Sequence, residues 1–307
     1  MAGKILVLGS SNIDLIFQIP RFHGPGETIM GDSMLTVFGG KGANQAIAAK
    51  RLGGRVTFVT KLGDDHYGEI YRWYLIKYRI DRRGLLLDAK RTTGTALIEV
   101  IPRGENRIIV SAGANGFLSP RDLKRLTSLW QGIDVFVAQL EIPYSTVRIG
   151  LQMAKDRGAR TLLNPSPPIR LPANILSLVD FIVPNESEAQ FLSGIRMRTT
   201  GDLRRIGEKL LSMGPKNVVI TLGPKGLFFK NGQEEIRMKA FPVRAIDTTA
   251  AGDAFMGALA CGLSENRPIR DVLPFATAAG ALTTTKLGAQ PSLPSRREVE
   301  VFLSAVP

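Results

Sequence analysis

The chain has 307 residues, 44% of them hydrophobic, enough for one large α/β domain or two small ones around a packed core. Lys and Arg number 40 against 27 Asp and Glu, a net charge of +13 that suits an anionic partner, but no dense basic run or aromatic–basic ladder marks a nucleic-acid binder. One Cys and two His exclude an internal disulfide and leave no zinc cluster, Cys–His pair or Ser–His–Asp set.

In chain order, "KILVLG" reads as a short buried strand closed by Gly9, too short for a signal peptide. "NIDLIFQIP" alternates polar and apolar residues, as a half-exposed strand does, and "TIMGDSMLTVF" is a second strand after a Gly/Pro turn. "GGKGANQAIAAKRLGG" opens on glycines and becomes an alanine-rich helix ending at Gly53 and Gly54. "VTFVTKLG" is the next buried strand, and His66 in "GDDHYG" reads as a turn residue. Residues 92–113 form two alternating strands around the polar turn "PRGEN".

From about residue 119 the pattern becomes strand–helix–strand. "DVFVAQL", "TLLNPSP", "FIVPN", "NVVITLG" and "GLFFKNG" are the strands, with helices through "AKDRG", near "ILSLV", and near 252–264 and 270–285. Buried strands alternating with amphipathic helices imply a mostly parallel sheet covered on both faces, a three-layer αβα sandwich. The alternating pairs within about 12–38 and 92–113 do not fit that layer and are expected to form a small second sheet within one domain spanning 1–307. No segment has the length of a membrane span, and Cys261 reads as a buried structural thiol, so a cytoplasmic protein is expected.

Ligands of parallel α/β sheets gather beyond the carboxyl ends of the strands. Asn12, Asp14, Glu141, Asn164, Asn185 and Thr221 all follow buried strands there. Asn185 in "NESE" also reads as a helix cap, whereas Glu141, ending an apolar strand, needs a partner. "GGKGANQA" is neither a P-loop nor GxGxxG, though Gly39, Gly40 and Gly42 would let backbone N–H groups approach an oxygen-rich ligand, with Asn44 adding an amide. In "DTTAAGDAF" the N–H groups near 250–252 would converge at a helix start and form an anion hole. Asp253 there is either a charge on the helix dipole or a base; the small residues before it favour the base.

These segments resemble, from end to end, the ribokinase/PfkB carbohydrate kinase family. "GGKGANQA" is similar to its first signature in the form ribokinases carry, and "DTTAAGD" to its second. "GSSNID", "PGETI", "QLEIP", "PNESEA", "TLGPKG" and "KLGAQPS" fall in the family's order and spacing. The resemblance implies a small β lid on the αβα sandwich and transfer of the ATP γ-phosphoryl group to the primary 5-hydroxyl of ribose. It implies sugar contacts at Asn12, Asp14, Gly40, Lys41, Gly42, Asn44, Glu141 and Asp253, with Asp253 as base and Ala250, Ala251 and Gly252 as anion hole. ATP contacts are implied at Asn185, Gly252 and the run Thr221, Leu222, Gly223, Pro224, Lys225 and Gly226. Thr277 stands where related enzymes can place a ring or amide near adenine. Glu188 is implied to meet Mg²⁺ through water, and Asp247, Thr249, Thr283, Lys286, Gly288 and Ser292 to line a K⁺ loop through backbone carbonyls. A homodimer formed lid against lid is implied, and the alternating "TALIEVI" offers apolar surface for it. A sibling kinase acting on deoxyribose, another sugar or a nucleoside is the alternative.

Overall fold

The computed structural model describes residues 3–102 and 104–305; Arg103, inside the expected "PRGEN" turn, lies outside them. In chain order the strands are β1 (Lys4–Leu8), β2 (Asn12–Gln18), β3 (Ser33–Gly39), β4 (Arg55–Gly63), β5 (Leu85–Asp88), β6 (Gly94–Val100) and β7 (Asn106–Ser111). There follow β8 (Ile133–Ala138), β9 (Arg160–Leu163), β10 (Phe181–Ile182), β11 (Asn217–Thr221), β12 (Leu227–Asn231) and β13 (Glu235–Met238). The first helices are α1 (Lys41–Arg51), α2 (His66–Lys77), α3 (Pro120–Arg125), α4 (Tyr144–Lys155) and α5 (Ala173–Leu176). The rest are α6 (Glu186–Ser193), α7 (Thr200–Ser212), α8 (Ala251–Ser264), α9 (Ile269–Thr283) and α10 (Arg296–Ala305).

Nine strands form one sheet in the order β13-β12-β11-β10-β9-β8-β1-β4-β5. Successive side chains of a strand face opposite sides, so each buried strand feeds two cores. Ile5, Val7 and Val137 pack with α1, α2, α8 and α9, while Leu6, Leu8 and Phe136 pack with α3, α4 and α7. That double burial explains the near-continuous apolar runs. Pairing is parallel from β5 to β11, but β12 and β13 run antiparallel, because the short turn Gly223–Lys225 after β11 leaves no room for a crossover helix.

The strand pairs at both segments that did not fit the main layer join in a second, four-stranded sheet, ordered β3-β2-β6-β7. Its edge strands leave apolar side chains exposed: Leu35, Ile108 and Val110 on one face, Met34 and Ile109 on the other. His66 is not in a turn. It begins α2, because the Asp65 carboxylate accepts the Gly68 N–H and starts a helix there. Cys261 is buried in α8, and no helix among the described residues is long and apolar enough to cross a membrane.

Candidate active site

The start of α1 is pressed against the end of β1. Gly40 has φ +88, and a Cβ on Gly42 would stand 2.5 Å from the Ser10 nitrogen, so a side chain at either position would push the helix away. Glu141 receives the first N–H of the helix, from Lys41 at 3.0 Å, and the Ser10 hydroxyl at 2.5 Å. Those contacts are the partners its position demanded. Asn12 accepts from the Asn115 amide at 2.8 Å.

α1 packs against α8 closely enough that a Cβ on Gly257 would lie 2.6 Å from that of Ala48. This contact sets Asn44 and Gln45 over Asp253 at the first turn of α8. Asn44 Nδ2 donates to Asp253 Oδ2 at 3.0 Å, and Gln45 Nε2 to Oδ1 at 2.9 Å. Asp253 is only 7% exposed, and burial raises its pKa against the opposing pull of Lys41 and the two amides. Asp14 is pushed up to about 7 by burial, then by the neighbouring Glu141 and Asp253. Burial works to lower Lys41, but Asp253, Glu141, Glu188 and Asp14 outweigh it and hold the ammonium above its ordinary value.

A cavity of about 210 Å³ opens between the N-termini of α6 and α8, lined among others by Lys41, Asn164, Asn185, Glu188, Thr221, Gly252 and Asp253. Ala250, the N-cap of α8, takes a left-handed φ of 60. The Ala251 N–H leans to the Thr248 carbonyl at 3.3 Å, and no acceptor among the described residues meets those of Ala250, Gly252 and Asp253. A lysine ammonium and a helix N-terminus facing one cavity suit an anion. Asn185 and Glu188 form a reciprocal capping box, and Asn185 bridges to Thr221, which joins the 185–188 and 221–226 segments. Leu222 accepts from Lys225 and donates to Gly226 within the turn that also holds Gly223 and Pro224. Thr277 is half-buried on α9 with its hydroxyl on the Leu273 carbonyl, and it does not line the cavity.

Residues 2–296 match the pfkB family carbohydrate kinases. A ribokinase of Staphylococcus aureus (strain COL) is 39% identical over 301 residues, covering 97% of this chain and 99% of the relative. A deoxyribokinase of Salmonella typhi is 34% identical over 301 residues, covering 98% of each. The structure of Arabidopsis thaliana ribokinase complexed with ribose and ATP aligns with a TM-score of 0.92 at 30% identity, over all of both chains.

The chain belongs to the pfkB family of carbohydrate kinases. As an ATP-dependent sugar kinase it needs places for a triphosphate and its ions, and the residues present fit them. The anion-suited cavity also carries the Glu188 carboxylate, of which Oε2 takes the Asn185 N–H. The 247–249 and 283–292 segments are brought together: Asp247 accepts from Thr249 and Gly288 at 2.9 Å each, and Ile246 donates to the Thr284 carbonyl. The Thr283 and Ser292 hydroxyls are spent on backbone carbonyls, and the Lys286 ammonium turns away to Glu298 at 2.8 Å. The Asp247 carboxylate thus joins the two loop segments, with the lysine ammonium averted.

Several residues at the site had no sequence argument of their own. Ser10, Gln45 and Gln290 lie inside quoted motifs, next to residues that were singled out, so proximity was the available signal. Gln139, which donates to Gln45 Oε1 at 2.5 Å, likewise opens "QLEIP", two residues before Glu141. Tyr71 belongs to a helix the pattern did not show.

The raised Asp14 pKa predicts a pH-dependent stability. The folded state holds this proton more tightly than the unfolded chain, whose value is 3.8, so the stability contribution is full below that value and lost as pH rises towards about 7. Asp14→Asn is therefore expected to be more stable than the parent at pH 8, by on the order of 2–4 kcal/mol, and nearly equal at pH 4. Urea denaturation at both pH values checks this; an equal gain at both would assign the effect to something other than the proton.

Proposed function

We propose that this kinase transfers the γ-phosphoryl group of ATP to the 5-hydroxyl of D-ribose, with Asp253 as general base. The observation that carries the reading is a buried carboxylate beside open N–H groups at the N-terminus of α8, in a cavity shared with Lys41. Burial makes Asp253 a stronger base than an exposed aspartate. The hydroxyl proton passes to Asp253, the freed oxygen attacks the γ-phosphorus, and the bond to the β–γ bridging oxygen breaks to leave ADP. The N–H groups of Ala250, Ala251 and Gly252, with the helix dipole and Lys41, meet the charge on the phosphoryl oxygens.

On the sugar side Asn12, Asp14, Gly40, Lys41, Gly42, Asn44 and Glu141 surround the acceptor, with Asp14 on paired ribose hydroxyls. Asn185, the 221–226 turn, Gly252 and Thr277 take ATP. Glu188 would hold Mg²⁺ through water, and the ion would neutralise charge on the phosphates. Support for ribose comes from the 39% identity to a ribokinase against 34% to a deoxyribokinase. An ATP-consumption assay over ribose, 2-deoxyribose, other sugars and nucleosides tests the reading, and faster turnover of 2-deoxyribose would replace ribose by that sugar.

Asp253→Asn keeps the shape of the site but removes the proton acceptor. Its kcat is expected to fall by roughly 10²–10⁴ with ribose still bound, by steady-state kinetics and calorimetry. Near-normal kcat would remove Asp253 as base.

The cation loop predicts activation at a distance. K⁺ bound through carbonyls at Thr249, Thr283, Lys286, Gly288 and Ser292, with Asp247, would stiffen the turn that aims the N–H groups. At saturating Mg-ATP, kcat is expected to rise with KCl at constant ionic strength and less with NaCl. A flat titration sinks this.

The open face of the small sheet supports a homodimer formed sheet against sheet, since Leu35, Ile108 and Val110 share that face and are more than half exposed. Sedimentation at micromolar concentration is expected to give twice the chain mass, whereas a monomer would show that the repulsion of +13 per chain prevails.

A further inference from the structure

We propose that Gln290 is a positioning residue for Asp253, acting through Asn44; the proposal rests on the reading of Asp253 as base. The Gly39 carbonyl, at the end of β3, can only accept. Tyr71 donates its single hydroxyl hydrogen to it at 2.6 Å, which leaves the Tyr71 oxygen as an acceptor. Gln290 meets that oxygen at 2.7 Å and therefore presents its amide nitrogen. The same nitrogen donates to Asn44 Oδ1 at 3.1 Å, so Asn44 must turn Nδ2 towards Asp253.

The polarity of the chain is thus set by a backbone carbonyl, which cannot be flipped. Tyr71 and Gln290 are fully buried and Asn44 is 6% exposed, so solvent does not offer the amides an alternative partner. A reversed Asn44 would set an oxygen against the Asp253 carboxylate in a low-dielectric site. Gln290 Oε1 is itself buried without a hydrogen bond. An amide that keeps an orphaned oxygen is held by what its nitrogen does.

The arrangement ties three parts of the molecule to one carboxylate oxygen. Gly39 ends the small sheet, Gln290 lies two residues beyond Gly288 of the cation loop, and Asp253 opens α8. The charged groups around Asp253 are Lys41 from α1, Glu141 from the segment after β8, and Asp14 from β2. Replacing Gln290 alters none of these, which isolates the amide's contribution.

Gln290→Met keeps length and volume but cannot donate. With Asn44 released, kcat is expected to fall about tenfold while KM for ATP stays within about twofold. The acid limb of kcat against pH is expected to move up by about half a unit to one unit, because the carboxylate loses a donor to its charged form. Tyr71→Phe, which removes one hydroxyl, is expected to shift the limb in the same direction by less, and it decides the matter if Gln290→Met does not fold. A merely structural role would lower the melting temperature and leave the acid limb in place; that result in the folded variant overturns the proposal. If Asp253→Asn loses kcat while the limb does not move, the positioning proposal alone falls. If Asp253→Asn keeps kcat, the base reading falls instead.

Discussion

One ammonium, on Lys41, lies among four carboxylates, and the centre of the molecule depends on that imbalance. Asp14, Glu141 and Asp253 cannot all be buried as charges without compensation, since an uncompensated buried ion costs several kcal/mol. Lys41 compensates part of it, and the carboxylates win over burial in keeping it charged. For Asp14 the balance goes the other way: burial and two like charges outweigh Lys41, and the group titrates near neutrality. The N-termini of α1 and α8, both turned towards acids, supply the remaining positive potential.

That concentration of charge exists because two sheets and two helices converge within a few residues. The small sheet ends at Gly39 and α1 begins at Lys41, so Gly40 alone separates them. A Cβ on Gly40 would meet the Asn12 nitrogen at 2.7 Å. Glycine here is a requirement of distance as much as of φ, and it places the lysine between Asp14 and Glu141 and the helix that carries Asp253.

Asp253 is oriented by neutral amides instead of a close ion pair, and the difference matters chemically. A guanidinium or ammonium in direct contact would depress its pKa and weaken it as a base. Two amides on its two oxygens fix the plane of the carboxylate while burial still raises its pKa. Orientation and basicity are thus obtained together.

The sequence alone determined the layers and pointed to several of the segments that line the cavity. Apolar runs at β1, β4, β8 and β11 mark strands buried on both faces, since such strands need no polar alternation, and the small residues before Asp253 mark a helix start open to a ligand. Helix α2 was not legible, because Trp73 and Ile76 are exposed while Tyr71 and Leu75 are buried, which blurs the helical period. The reversal at β12 depended on the length of a turn, and the capping role of Glu141 on where α1 comes to lie. Only the tertiary structure decided which amide faces which acid. A hydrogen-bond direction is a property of the whole chain of partners, and Gly39, Tyr71, Gln290, Asn44 and Asp253 are brought together from five separate segments.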